Sequence, residues 1–168
     1  MGRKIFIVAS YPQSILNFRG HLILSLLEER VEVHVAAPNL FQHPDLKSKL
    51  DAMGVYSHEI FLQRNGLNPL YDLYTIFQIW LLLFRLRPNF FIGYTIKPVI
   101  YGGIAAWLAR VPSRSSLITG LGYFFIDPSA KRQFLFVLIQ KLYRFSLSNL
   151  IKFFSRIRMI EIYFLGLK

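Results

Sequence analysis

An α/β fold, a parallel sheet with helices on both faces, is the class this chain predicts, and three observations predict it. Short apolar runs rich in Val, Ile and Phe alternate with longer segments of helical spacing, the pattern of strand–helix–strand crossover units. The 168 residues suit one domain, since a single hydrophobic core serves about 100 to 200 residues. Hydrophobic residues make up 54% of the chain and charged residues 17%, so burial can offset the entropy lost on ordering.

The elements follow in order. Ile5 to Ala9 sits behind a basic start, is too short for a leader-peptide core and meets Pro12 at once, so Lys4 to Ala9 reads as the first strand. Further strands are expected near Val31 to Ala37, Val55 to Leu62, Asn89 to Tyr94, Arg114 to Thr119 and Asn149 to Phe154. Helices fill the gaps at Gly20 to Glu29, Pro44 to Met53, Pro69 to Leu86, Pro98 to Ala109 and Ser129 to Phe145. Pro44 belongs at a first helical position beside Asp45, Gly54 at a helix C-cap, and Pro128-Ser129 opens the last helix after Asp127. Pro88 and Pro112 each stop a helix before a strand.

Leu73 to Phe84 is an uncharged run of 12 residues between Asp72 and Arg85, whereas a spanning helix needs about 20. A buried or interface-facing helix is expected there; Trp80, Phe84, Arg85 and Arg87 would suit one resting on lipid headgroups.

Lys and Arg number 20 against 9 Asp and Glu, a formal charge of +11 that attracts polyanions. Nucleic acid, an anionic membrane face and a phosphate-bearing substrate all remain open on charge alone. The excess is greatest from Ser129 to Lys168, where Glu161 is the lone carboxylate. With no cysteine, disulfides, thiolate metal sites and a cysteine nucleophile are excluded, and an oxidising compartment is not indicated.

In a parallel α/β sheet ligands gather beyond the carboxyl ends of the strands. The loops to inspect are therefore Ser10 to Arg19, Pro38 to Gln42, Gln63 to Asn68, Tyr94 to Pro98 and Gly120 to Asp127. The first lacks the Gly-x-Gly-x-x-Gly that brings backbone against a pyrophosphate, and no Walker A sequence occurs elsewhere, which disfavours NAD, FAD and P-loop chemistry. Arg19 at the mouth of the next helix can pair with phosphate through its planar fork, or be a solvated loop arginine. Tyr94-Thr-Ile-Lys-Pro98 sets a hydroxyl and an ammonium at a strand end before a helix N-terminus, a plausible phosphate or sugar site. Gly102-Gly103 is read as structural, letting the following helix pack closely. Thr119-Gly-Leu-Gly-Tyr123 offers main-chain amides beside a phenol, or is a tight turn. His21, His34, His43 and His58 are scattered without metal spacing and are read as structural. Asp72, Asp127 and Glu59 stand alone, so no carboxylate pair announces a hydrolase.

At these loops the sequence resembles the N-terminal domain of family 4 glycosyltransferases, of the kind that build capsule, O-antigen or lipid-linked oligosaccharides in bacteria. The likeness runs from about Lys4 to Phe154 and is carried by Leu16-Asn-Phe-Arg19, Arg64-Asn-Gly-Leu-Asn-Pro69, Tyr94-Thr-Ile-Lys-Pro-Val-Ile-Tyr-Gly102 and Ile118-Thr-Gly-Leu-Gly-Tyr-Phe124. The resemblance implies the N-terminal half of a GT-B enzyme, two Rossmann-like domains facing across a cleft. It implies retaining transfer without a metal or other cofactor, a nucleotide-sugar donor of the UDP-sugar type held by the C-terminal domain, and an undecaprenyl-diphosphate-linked sugar as acceptor. By the same resemblance Asn17, Phe18, Arg19, Thr95, Lys97, Gly120, Gly122 and Tyr123 line the acceptor side, while no catalytic residue is identified. The basic surface would hold the protein against anionic lipid at the inner face of the cell membrane, on the cytoplasmic side.

The resemblance stops at the chain's end. Relatives continue the sixth strand with a segment of the type Gln-Asn-Pro-Asp-Asp-Arg-Asp-Leu-Phe, where this chain has Ser155-Arg-Ile-Arg-Met-Ile-Glu-Ile-Tyr-Phe164. In allowed codons the latter can be written TCC AGA ATC CGG ATG ATA GAG ATT TAT TTT. Read from the third base, that string gives CAG AAT CCG GAT GAT AGA GAT TTA TTT, which encodes the relatives' segment. The expectation is an acceptor-side domain over residues 1–154, an out-of-frame tail over 155–168, an absent C-terminal donor domain and a catalytically silent chain. The alternative for the tail is an amphipathic segment with Ile157, Ile160, Phe164 and Leu167 on one face. Two other functions stay open: a noncatalytic membrane-docking subunit of a split glycosyltransferase, and a basic nucleic-acid-binding domain, for which no RNA or DNA motif is present.

Overall fold

The computed structural model describes residues 2–63 and 68–117. The expected helix at Ser129 to Phe145, the sixth strand and the tail over 155–168 lie outside the described residues.

Among the described residues, five strands form one parallel sheet: β1 (Lys4–Val8), β2 (Glu32–Ala37), β3 (Tyr56–Glu59), β4 (Phe90–Tyr94) and β5 (Ser113–Leu117). The helices are α1 (Ser14–Glu28), α2 (Pro44–Ala52), α3 (Pro69–Leu86) and α4 (Gly103–Leu108), the last continuing a π-helical turn over Pro98–Gly102. The strand order β3-β2-β1-β4-β5 reverses direction between β1 and β4.

Alternation along β1 explains the layering. Ile5, Ile7 and Ala9 pack with Ile15 and Ile23 of α1 and Leu46 and Leu50 of α2. Phe6 and Val8 point the other way, against Ile79 and Leu83 of α3 and Ala105 and Ala106 of α4. Both faces are thus covered, as the near-continuous apolar strands require. Each fully buried Ile or Leu in these two layers contributes about 1.5 to 3 kcal/mol.

Local signals set several boundaries. The Asn68 side chain accepts a hydrogen bond from the Leu70 amide at 3.1 Å with Pro69 at the first helical position, and α3 starts and ends where the sequence predicts. Gly54 takes φ +77° after α2, its amide bonding Asp51 O and the Val55 amide bonding Leu50 O, as expected of a C-cap glycine. A Cβ on Gly102 would stand 2.4 Å from Cζ of Phe91, so the close-packing role read for that residue holds.

Two boundaries differ from expectation by more than two residues, and one helix begins with a different kind of turn. Helix α1 begins at Ser14, not Gly20, because nothing after Pro12 breaks the helix and an internal glycine costs only about 1 kcal/mol. Strand β3 ends at Glu59 instead of Leu62. Its partner β2 stops at Ala37, whose carbonyl takes one more amide, from Ile60, and the Phe61 amide then turns to Oε1 of Gln78. The segment after β4 enters its helix through the π-helical turn. A Cβ on Gly93 would stand 2.7 Å from Pro98 O, so the returning backbone lies directly on the strand end. Among the described residues no helix is long and apolar enough to cross a membrane.

Candidate functional site

Two neighbouring strands whose connections depart in opposite directions leave a crevice beyond their carboxyl ends. Here those strands are β1 and β4, and the crevice is framed by Ser10 and Tyr11 after β1, the first turns of α1, and Tyr94 and Thr95 at the end of β4.

Tyr94 forms its floor. The side chain is 1% exposed, and its hydroxyl lies 2.9 Å from Oγ of Ser14. Ser14 Oγ also donates to Tyr11 O, and either hydroxyl can be the donor in the contact between Ser14 and Tyr94. Burial raises the Tyr94 pKa above the ordinary phenol value, opposed by the Ser14 hydrogen bond and by the charge of Arg19. The Arg19 guanidinium lies over the Tyr94 ring, 5.2 Å from its centroid, a cation–π arrangement. Nη1 of Arg19 donates to Phe18 O at 3.0 Å, while its Nε is buried without a partner.

The other wall is strained. Thr95 has φ +71°, a region that costs a β-branched residue on the order of 1–3 kcal/mol, and such strain clusters at ligand sites. Its hydroxyl donates to Oγ of Ser10 at 2.8 Å, tying the ends of β4 and β1 together across the switch point.

The expected acceptor residues are distributed unevenly around this crevice. Arg19 and Thr95 both border it. Asn17 and Phe18, expected in a loop, stand instead on the second turn of α1 and are exposed, Phe18 by 71%. The cause is the early start of the helix, which turns a presumed loop into a rigid surface. Lys97 is 11% exposed, makes an ion pair with Asp72 at 3.1 Å and lies 5.6 Å from the Tyr101 ring centroid. Asp72, read as standing alone, therefore has a cation, and it also accepts from the Tyr101 hydroxyl, whose pKa is raised by burial and then by this carboxylate. Gly120, Gly122 and Tyr123 lie outside the described residues.

Ser10, Ser14 and Tyr94 complete the crevice. None of these three was named from the sequence as a site residue: Tyr94 stood as the last residue of the expected fourth strand, while Ser10 and Ser14 were submerged in the presumed loop. His34, His43 and His58 hold structural contacts. Nδ1 of His34 lies 3.0 Å from Nε2 of His58, Nε2 of His34 lies 2.8 Å from Oε1 of Glu32, and Gln13 bonds His43. His21 is exposed. Among the described residues no group of three or more His, Cys, Asp or Glu could hold a metal ion. Glu59 accepts from the Phe41 amide at 2.8 Å.

No family model matches the chain. Over 133 residues it is 31% identical to the N,N'-diacetylbacillosaminyl-diphospho-undecaprenol alpha-1,3-N-acetylgalactosaminyltransferase of Campylobacter jejuni, a match covering 79% of this chain and 34% of that protein. The chain thus spans about a third of the length of the curated relative it matches. Among solved structures, Acinetobacter baumannii MurG is similar with a TM-score of 0.50 at 16% identity, over 69% of this chain and 34% of MurG. A UDP-N-acetylglucosamine 2-epimerase gives a TM-score of 0.52 at 16% identity, over 79% of this chain and 38% of its own. These structural likenesses bear on the fold, which is the Rossmann-like α/β sheet the sequence predicts.

Proposed function

We propose, from the premise that this chain belongs with the bacterial GT-B glycosyltransferases, that it is the acceptor-side domain of an enzyme that moves a sugar from a nucleotide-sugar to a lipid-diphosphate-linked acceptor. The observation that carries the reading is the switch-point crevice with the Arg19 guanidinium fixed at its edge over Tyr94. A planar cation with one N–H buried and unpaired suits a diphosphate oxygen, because charge-assisted hydrogen bonds are about twice as strong as neutral ones. Ser10 accepts from Thr95 and keeps its own proton to donate to the same oxygens. Lys97 contributes less than the sequence suggests, since Asp72 already neutralises it.

The donor side belongs to a second domain by this reading. The curated relative is about three times longer than the matched region, and the epimerase neighbour is named for a UDP-sugar substrate, which supports a UDP-sugar donor. Transfer requires both halves, so the domain alone binds acceptor without turning it over. A peripheral position at the cytoplasmic membrane face follows from the lipid carrier.

The test is a titration of the full chain with a short-chain polyprenyl diphosphate and with inorganic pyrophosphate. The expected result is binding of both, weakened roughly tenfold or more by Arg19→Ala, in line with a charge-assisted contact worth about 1.5 to 3 kcal/mol. Binding that ignores Arg19, or tighter binding to an oligonucleotide than to either diphosphate, would sink the reading.

A further inference from the structure

We propose that Thr95 is a positioning residue of the crevice, whose hydroxyl turns the Ser10 hydroxyl proton toward the anionic oxygens of the ligand. The assignment deepens the proposed function and rests on it for the nature of that ligand, a diphosphate.

Backbone strain is the first observation. Among the described residues, the residues other than glycine with positive φ are Arg30, Asn39, Arg87, Thr95 and Arg110. The three arginines follow helix ends, and asparagine is a residue that tolerates this region. Thr95, at +71°, is the one β-branched residue in that set, and branching at Cβ makes such a backbone a genuine outlier.

The turn by itself does not account for threonine. The chain reverses here, and the carbonyl oxygen of Pro98 comes back to 2.7 Å from where a Cβ on Gly93 would stand. A glycine at position 95 would make the reversal without steric cost. Threonine contributes instead one neutral hydrogen bond, 2.8 Å long, to Oγ of Ser10. The net worth of such a bond does not exceed the strain that accompanies it. Stability alone therefore does not select threonine, and strain of this kind gathers where a ligand is held.

The direction of the hydrogen bond supplies the rest. The Thr95 hydroxyl donates and Ser10 Oγ accepts, so the Ser10 proton points away from Thr95. Ala9 is still tied into the sheet, its amide bonded to Ala36 O at 2.9 Å, and Ser10 is the first residue beyond it. Among the described residues no group accepts the Ser10 hydroxyl proton. A hydroxyl held as a donor at the strand end, in the crevice edged by the Arg19 guanidinium, suits an oxygen that only accepts, as the terminal oxygens of an ionised diphosphate do. Without the Thr95 hydroxyl, the Ser10 proton is free to rotate elsewhere.

The experiment titrates the full chain with inorganic pyrophosphate and follows urea unfolding, in the parent and in Thr95→Ser, Thr95→Val and Thr95→Gly. Binding is expected to follow the hydroxyl. It should stay close to the parent in Thr95→Ser and weaken roughly fivefold in both Thr95→Val and Thr95→Gly, the share of one modest hydrogen bond. Stability is expected to follow the backbone instead: Thr95→Gly should unfold at higher urea than Thr95→Val, because both lose the hydroxyl and only glycine relieves the strain. Ser10→Ala should weaken binding by a similar factor, and adding Thr95→Val to it should bring little further loss, since Thr95 acts through Ser10.

Pyrophosphate binding by Thr95→Gly equal to that of the parent would overturn the positioning role, as would losses in Ser10→Ala and Thr95→Val that add in full. Thr95→Ser and Thr95→Gly introduce no new strain, so their comparison decides the matter even if Thr95→Val does not fold. Binding that needs Arg19 but ignores Thr95 overturns the positioning role and leaves the function standing. A parent chain that binds no pyrophosphate overturns the function, and the positioning role with it.

Discussion

Arg19 of α1 and Tyr94 of β4 meet face to ring at 5.2 Å, and the Tyr94 hydroxyl is in turn held by Ser14 on the first turn of the same helix. One strand-end phenol thus fixes both the start of α1 and the cation that the helix brings to the crevice.

Tyr94→Phe keeps the ring beneath Arg19 and removes the hydrogen bond to Ser14. The expected cost is about 1 kcal/mol of stability, with diphosphate binding reduced far less than in Arg19→Ala. Urea unfolding of Tyr94→Phe, Ser14→Ala and the double variant checks it: the two single losses should not add, because they remove one contact.

Asp72→Asn removes the carboxylate charge beside Lys97 at a site where the Lys97 and Asp72 side chains are 11% and 16% exposed. Destabilisation of about 2 to 4 kcal/mol is expected, since breaking a largely buried pair leaves the desolvation of the remaining ion less compensated. Adding Lys97→Met should restore part of the loss. A double variant less stable than Asp72→Asn, measured by chemical denaturation, would show that the pair does not act as one unit.

Acid should weaken the fold through His58. Burial first, and the neighbouring His34 second, lower its pKa from 6.5 to about 4. Between those values the unfolded chain binds the additional proton, so the contribution is complete above pH 6.5 and is lost as pH falls toward 4. Glu32 acts with the same sign at lower pH, because Lys4 first and His34 next hold its pKa below 4.5. Denaturation midpoints should fall from pH 7 to pH 5 in the parent and fall less in His58→Gln.

Among the described residues, three helices end on an arginine in the left-handed region: Arg30 at φ 57°, Arg87 at φ 47° and Arg110 at φ 55°. The Val31 and Val111 amides then bond back to Leu26 O and Ala106 O, completing C-caps that usually use glycine. Arg30→Gly and Arg110→Gly should each stabilise by about 0.5 to 1 kcal/mol, the relieved backbone strain exceeding the entropy that glycine adds to the unfolded chain. Thermal unfolding of each variant measures the sign.

Gly102→Ala should destabilise by about 1 to 3 kcal/mol, because the added methyl would enter the Phe91 ring and the core has no slack to take it. Phe91→Leu in the same chain is expected to recover part of the loss, and a stability midpoint unchanged by Gly102→Ala would refute the packing role.

The sequence by itself determined the class of fold, the order of its elements and several of their ends. Asn68 with Pro69 starts α3, Gly54 ends α2, and alternation assigns Ile5 and Phe6 to opposite faces. Such features are set by periodicity and by hydrogen bonds spanning a few residues, so a short window of chain contains their cause. It misjudged the start of α1, whose preceding Gln13 makes no side-chain cap that could have announced it. What tertiary structure alone decided is which side chains share the crevice. The order β3-β2-β1-β4-β5 sets β4 beside β1, and with that the phenol of Tyr94 reaches Ser14 and Arg19 while Lys97 closes on Asp72. Strand order follows from the packing of the whole sheet against both helical layers, and no local stretch of sequence encodes it.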